Sequence, residues 1–131
     1  MSDKMLVWLN EYELGIEEID LQHHYFLNLI NRLEKELANS DDLVYQQSLF
    51  KELSIYAHFH FVSEENFMYR EGYPDLTRHK SHHDALIAKL NRKKLQFETG
   101  QIKATSIIDF LRHWFLQHTI GEDMKFAKFF R

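Results

Sequence analysis

The chain has 131 residues, 44% of them hydrophobic, with eleven Phe, six Tyr and two Trp; this is enough for a packed core, and one domain over 1–131 is expected. Sixteen basic and twenty acidic residues give a net charge of −4, so no basic surplus points to nucleic acid or an anionic membrane. No cysteine is present, which excludes disulfides, thiolate metal sites and cysteine nucleophiles.

Residues 1 to about 17 lack helical periodicity and read as an ordered arm, with Trp8 as a packing anchor. The apolar run Met5 to Leu9 is too short for a signal segment or a membrane span, so a soluble, cytoplasmic protein without membrane insertion is expected. The first helix is predicted to start near Asp20 as N-cap. Its apolar line is Ile16, Ile19, His23, Phe26/Leu27, Ile30, Leu33 and Leu37, with spacings of three and four. His23 is on that line and His24 is about 100° off it. Asn39-Ser40-Asp41 reads as a turn.

The second helix, from about Asp42 to Arg70, has the inward line Leu49, Leu53, Tyr56, His60, Glu64 and Phe67/Met68. Glu65 and His58 point elsewhere. Gly72 and Pro74 mark a break. The third helix, from about Pro74 to Phe97, carries Leu76, His79, His83, Leu86/Ile87, Leu90 and Phe97 inward, and periodicity also tolerates His82 beside His79. The fourth runs from about Lys103 to His118 or Thr119, with Ile107/Ile108, Leu111, Trp114/Phe115 and His118 inward. Gly121 then interrupts, and the tail from Asp123 has the apolar residues for a short cap. The expected fold is all-α: an antiparallel up-down-up-down four-helix bundle with an N-terminal arm and a short C-terminal helix. No strong exposed apolar stripe demands a partner, so a monomer is expected.

In that topology His23, His60, Glu64, His79, His83 and His118 fall at one end of the bundle. Asp123, five residues past His118, would sit about 140° away on an unbroken α-helix; an ending at Gly121 would let it turn back inward. A lone inward histidine is usually a hydrogen-bonded core residue. Five of them with a carboxylate cannot satisfy one another, and burying an unpaired carboxylate costs several kcal/mol. Metal ions resolve this, because neutral imidazole and carboxylate both donate to them. Seven ligands exceed one closed zinc site. The donor types suit iron, and also manganese, cobalt or zinc. Neither His-Glu-x-x-His nor Glu-x-x-His occurs, which argues against a zincin protease and against ferritin-like di-iron bundles. A histidine-rich site leaves less negative charge to stabilise high-valent iron, which favours reversible chemistry.

The sequence resembles the hemerythrins over nearly its whole length. The resemblance rests on Trp8, Gly15-Ile16, Asp20-Leu21-Gln22-His23, His60-Phe61-Val62-Ser63-Glu64-Glu65 with Met68, His79-Lys80-Ser81-His82-His83, and Trp114 through His118 to Asp123. It implies reversible dioxygen binding at a non-haem di-iron centre for oxygen transport, storage or delivery to an oxygen-consuming oxidase or oxygenase. By motif, His79, His83 and His118 would hold one iron. His23 and His60 would hold the other, which keeps an open position for dioxygen. Glu64 and Asp123 would bridge, with an oxo or hydroxo group. Phe26, Leu27, Phe61, Trp114, Phe115 and Thr119 flank these ligands at helical offsets and are expected to line the dioxygen pocket. An aliphatic residue is common in the family where Thr119 stands; its hydroxyl would either alter autoxidation or, as is expected, bond a backbone carbonyl one turn back. His24, His58, His82 and His113 are read as surface or supporting residues, and Tyr56 as able to support a ligand. No inward residue remains as a general acid or base, so a non-enzyme is expected. The alternatives are a di-iron enzyme, a nitric oxide or oxygen sensor or scavenger, and a protein that handles or repairs iron centres.

Overall fold

Local chemistry sets the start of the second long helix and the ends of the second and third. A computed structural model describes residues 7–130, so the arm's first six residues and Arg131 lie outside the described residues. After a single 3₁₀ turn at Asn10–Tyr12, the described chain forms α1 (Glu17–Asn39), α2 (Leu43–Arg70), α3 (Leu76–Glu98), α4 (Ala104–Leu116) and α5 (Met124–Phe130). Asp42 caps α2 by accepting from the backbone amides of Val44 and Tyr45, which satisfies two of the free N–H groups at a helix start. Gly72 ends α2 with φ +72°. Its N–H donates to the Tyr69 carbonyl at 3.1 Å and the Tyr73 N–H to the Met68 carbonyl at 2.9 Å. Gly100, at φ +77°, ends α3 in the same way, with Gln101 N–H donating to the Gln96 carbonyl at 2.7 Å. Such paired closures need a left-handed residue, which favours glycine.

The helices form a closed square: α1 packs on α2 and α4, and α3 packs on α2 and α4. Among the described residues there is no strand. The bundle body is an apolar core that includes Phe26, Ile30, Phe50, Leu53, Leu90 and Leu111. A second cluster, Leu14, Ile16, Ile19, Met68, Tyr73 and Phe126 with Ala127, joins the arm, α5 and the neighbouring helix ends. On every helix the candidate donors lie between residues of these two clusters in sequence. The arm and α5 therefore cap a polar layer whose other side is the bundle body.

Three expectations need correction. Asp20 is not an N-cap: α1 begins three residues earlier. The Asp20 carboxylate instead accepts from the backbone amides of Leu14 at 2.8 Å and Gly15 at 3.1 Å, which fastens the arm to α1. Gly121 does not interrupt the fourth rod, because Gln117–Asp123 continues it as a π-helical segment into α5. Finally, α2 carries an exposed apolar row, with Ile55 58%, Phe59 56%, Val62 52% and Tyr69 78% exposed. The inward-line reading follows one face of a helix, whereas α2 is apolar on two.

Candidate metal centre

His23 comes from α1, His60 and Glu64 from α2, His79 and His83 from α3, and His118 and Asp123 from the π-helical segment. The i,i+4 spacing puts His60 with Glu64, and His79 with His83, on single helix faces. The π-helical segment solves the placement of Asp123. Its i→i+5 bonding brings residues five apart back to one side, so His118 and Asp123 point together without any helix ending. All seven residues are buried, none more than 3% exposed.

The donors meet at short range. His23 Nε2 lies 2.9 Å from Asp123 Oδ2 and 3.1 Å from His60 Nε2. His83 Nε2 is 3.0 Å from Glu64 Oε1, and His79 Nε2 is 3.1 Å from Asp123 Oδ1. His118 Nε2 is 2.9 Å from Asp123 Oδ2 and 3.3 Å from Glu64 Oε1. Two groups of five donors emerge, with the atoms of each within 4.8 Å of one another: His23, His60, Glu64, His118 and Asp123, and Glu64, His79, His83, His118 and Asp123. Octahedral ligands on bonds of about 2.1 Å stand about 3 Å apart, which is the scale of these separations. His118 Nε2, Glu64 Oε2 and Asp123 Oδ2 are crowded against the other donors without well-formed hydrogen-bond geometry, a costly arrangement for buried polar atoms that coordination would satisfy. The residues present therefore fit metal ions.

The family model of the Hemerythrin HHE cation binding domain matches residues 14–130. The chain belongs to the hemerythrin family. It is similar to the bacteriohemerythrin of Clostridium acetobutylicum, at 31% identity over 93% of this chain and 98% of that one. It also resembles the hemerythrin-like protein of Naegleria gruberi, at 28% identity over 91% and 88%. Among solved structures, wild-type hemerythrin aligns with a TM-score of 0.83 at 24% identity, covering 95% of this chain and 97% of that chain.

Two side chains that support this hemerythrin layer escaped the sequence reading. His60 Nδ1–H donates to Gln22 Oε1 at 2.8 Å, and Gln22 Nε2–H donates to Ser63 Oγ at 2.9 Å. His83 Nδ1–H donates to Glu65 Oε2 at 2.7 Å. Both bonds fix the ring so that Nε2 faces the layer with its lone pair. Gln22 adjoins His23 and Glu65 adjoins Glu64 in sequence, and that adjacency was the available signal. Tyr56 acts one step further out, its hydroxyl donating to the Gln22 carbonyl at 3.0 Å.

The electrostatics follow from burial against charge. Burial drives His60 down to about 3, so its imidazole is neutral. For His79 and His118 burial pulls the same way, but the Asp123 and Glu64 carboxylates outweigh it and raise them to about 9 and about 10. His23 is raised on the same balance. Burial and the Glu64 charge push Asp123 up, yet His118 and His23 hold it down at about 2. Without a metal, the layer neutralises itself with protons.

Aromatic side chains wall this layer. Phe61 stacks on His83 at 4.0 Å and meets His118 edge-on at 4.9 Å. Phe26 lies 5.8 Å from His60, and Phe115 6.1 Å from His23. Trp114 backs Phe26 and Phe61 while its Nε1–H donates to the Leu86 carbonyl at 3.1 Å. Leu27 is buried in the same core. Thr119 is fully buried, and its hydroxyl forms no hydrogen bond among the described residues. The expected bond to a carbonyl one turn back presumes α-helical geometry, which the π-helical segment removes. Of the remaining histidines, His24 stacks on Trp8 at 3.8 Å, His82 lies parallel to His118 at 5.9 Å, and His58 and His113 are exposed.

Proposed function

We propose that this chain binds dioxygen reversibly at two non-haem iron ions bridged by an oxo or hydroxo group, and carries, stores or delivers it in the cytoplasm to an oxygen-consuming enzyme. One observation carries the reading. Glu64 and Asp123 belong to both donor groups, while His23 with His60 and His79 with His83 belong to one each. Two carboxylates within reach of two histidine pairs suit a bridged pair of ions. His118 reaches both groups; assigned with His79 and His83, it would give one ion three imidazoles and the other two, so that the second would have room for dioxygen.

When bound, an iron pair supplies electrons that can be lent to dioxygen and recovered. The protein's part is to preserve that reversibility. His23, His60, His79, His83 and His118 would present imidazole nitrogen to the ions, His79 and His118 giving up a bound proton to do so. Phe26, Leu27, Phe61, Trp114 and Phe115 exclude water and protons from the layer, and Thr119 completes the wall of the dioxygen pocket. Apart from the seven donors and the aromatic residues, the buried polar residues among those described are Asp20 and Thr119. Asp20 is engaged by two backbone amides. Among the described residues no carboxylate besides Glu64 and Asp123 belongs to either donor group, which supports carriage over turnover. No described helix is long and apolar enough to cross a membrane.

The test is spectroscopic. Iron per chain is measured, and visible spectra are recorded through repeated cycles of deoxygenation and air. Two irons and a charge-transfer band that vanishes and returns are expected. A band that never reverses, or zinc in place of iron, contradicts the proposal.

A further inference from the structure

The five histidines are not supported alike. Nδ1 of His23, His79 and His118 has no hydrogen-bond partner among the described residues. Only His60 and His83 have one, so each histidine pair contains one supported ring. The supports differ in charge. His83 is backed by the Glu65 carboxylate at 2.7 Å. His60 is backed by the neutral Gln22 amide at 2.8 Å. The amide cannot turn over freely. His60 Nε2 points to the layer, so its proton is on Nδ1 and must meet the Gln22 oxygen. The Gln22 nitrogen is occupied by Ser63.

A carboxylate behind an imidazole draws the Nδ1 proton toward itself and makes Nε2 a stronger donor; a neutral amide orients the ring without adding charge. Such outer partners are worth about 10–100-fold in metal affinity. We propose that Glu65 and Gln22 are positioning residues that make the two metal positions unequal: the ion at His79 and His83 is held tightly, and the ion at His23 and His60 is held weakly and leaves first. The inference rests on the two-ion reading above. It assigns the more labile ion to the side proposed to receive dioxygen, with a neutral residue behind its histidine.

The experiment starts from the iron-loaded, reduced full-length protein under anaerobic conditions. A ferrous chelator, ferrozine, is added in excess and iron release is followed by absorbance. Two phases of one iron each are expected. Glu65→Gln removes the charge but keeps a hydrogen-bond acceptor, and should speed the slow phase about 10-fold or more while leaving the fast phase unchanged. Gln22→Glu places a carboxylate behind His60 and should slow the fast phase, leaving the slow one unchanged. Glu65→Asp, which keeps the charge, should recover part of the slow phase. Circular dichroism confirms that the variants are folded, and Gln22→Glu alone decides the matter if Glu65→Gln does not fold. A single release phase from a protein holding two irons overturns the inference while the two-ion reading stands. So does an equal shift of both phases, or of neither, in the variants. Fewer than two irons in the starting protein overturns both.

Discussion

The donor layer and the bundle body are built along the same rods and, apart from Asp123 in the π-helical segment, on the same inward spacing, yet they are opposite kinds of interior. Below the layer, Phe50, Leu53, Leu90 and Ile107 close a dry core in which no more than 1% of any of these side chains is exposed. Within the layer, seven ionisable groups are buried instead. Burial stabilises the first region by itself, at about 25 cal/mol per Å² of apolar surface. Burial penalises the second, which must recover the cost through coordination or bound protons. A helical period specifies where a side chain goes and is indifferent to whether the place suits it.

The largest effect expected from this contrast is that of metal removal. Exhaustive chelation should lower unfolding free energy by at least about 4 kcal/mol, the linkage value for one ligand at a thousand times its Kd, and calorimetry measures it. The pH dependence has a definite sign. His79 and His118, raised to about 9 and about 10, carry protons at pH 7 that a metal must displace. Metal affinity should therefore rise with pH through neutrality and level off above about 10, with proton release measurable in a pH-stat. In the metal-free protein, the contribution of these two raised groups is fully present below pH 6.5 and is lost as pH rises through their folded values. His60, depressed to about 3, works the other way: stability falls as pH drops from 6.5 toward that value.

Leu53→Ala sharpens the contrast from the dry side. It should cost about 2–5 kcal/mol in chemical denaturation while iron per folded chain stays the same. Loss of iron in the folded variant would mean that the two regions are not energetically separate. Thr119→Val removes an unpaired buried hydroxyl at nearly constant shape, and should leave stability unchanged or raise it by about 1 kcal/mol. A clear loss would show that the hydroxyl has a partner. At the surface, Arg32→Ala breaks the exposed pair with Glu52 and should cost less than about 1 kcal/mol, fading with added salt.

The fold was legible because long amphipathic periods and two glycine stops leave little choice of topology. The histidine positions were legible for the same reason: His23 rather than His24 is on the apolar line of α1, and His60 with Glu64 is on that of α2. Asp123 was not legible from spacing alone. A period of 3.6 puts it on the wrong side of His118, and nothing in the period announces a π-helical segment; the resemblance to hemerythrins supplied that residue. Gln22 and Glu65 were missed because their long side chains reach around the helix from positions beside the inward line. Asp20 was misread as a cap because its acceptors serve the arm before the helix, a pairing that only the fold reveals.

The measurement that tests the central claim most directly is anomalous diffraction at the iron edge from crystals of the protein as isolated. The account predicts two iron peaks enclosed by the seven donors, with Glu64 and Asp123 touching both, His79, His83 and His118 on one and His23 and His60 on the other. A single peak, or a second one away from Glu64 and Asp123, would contradict it.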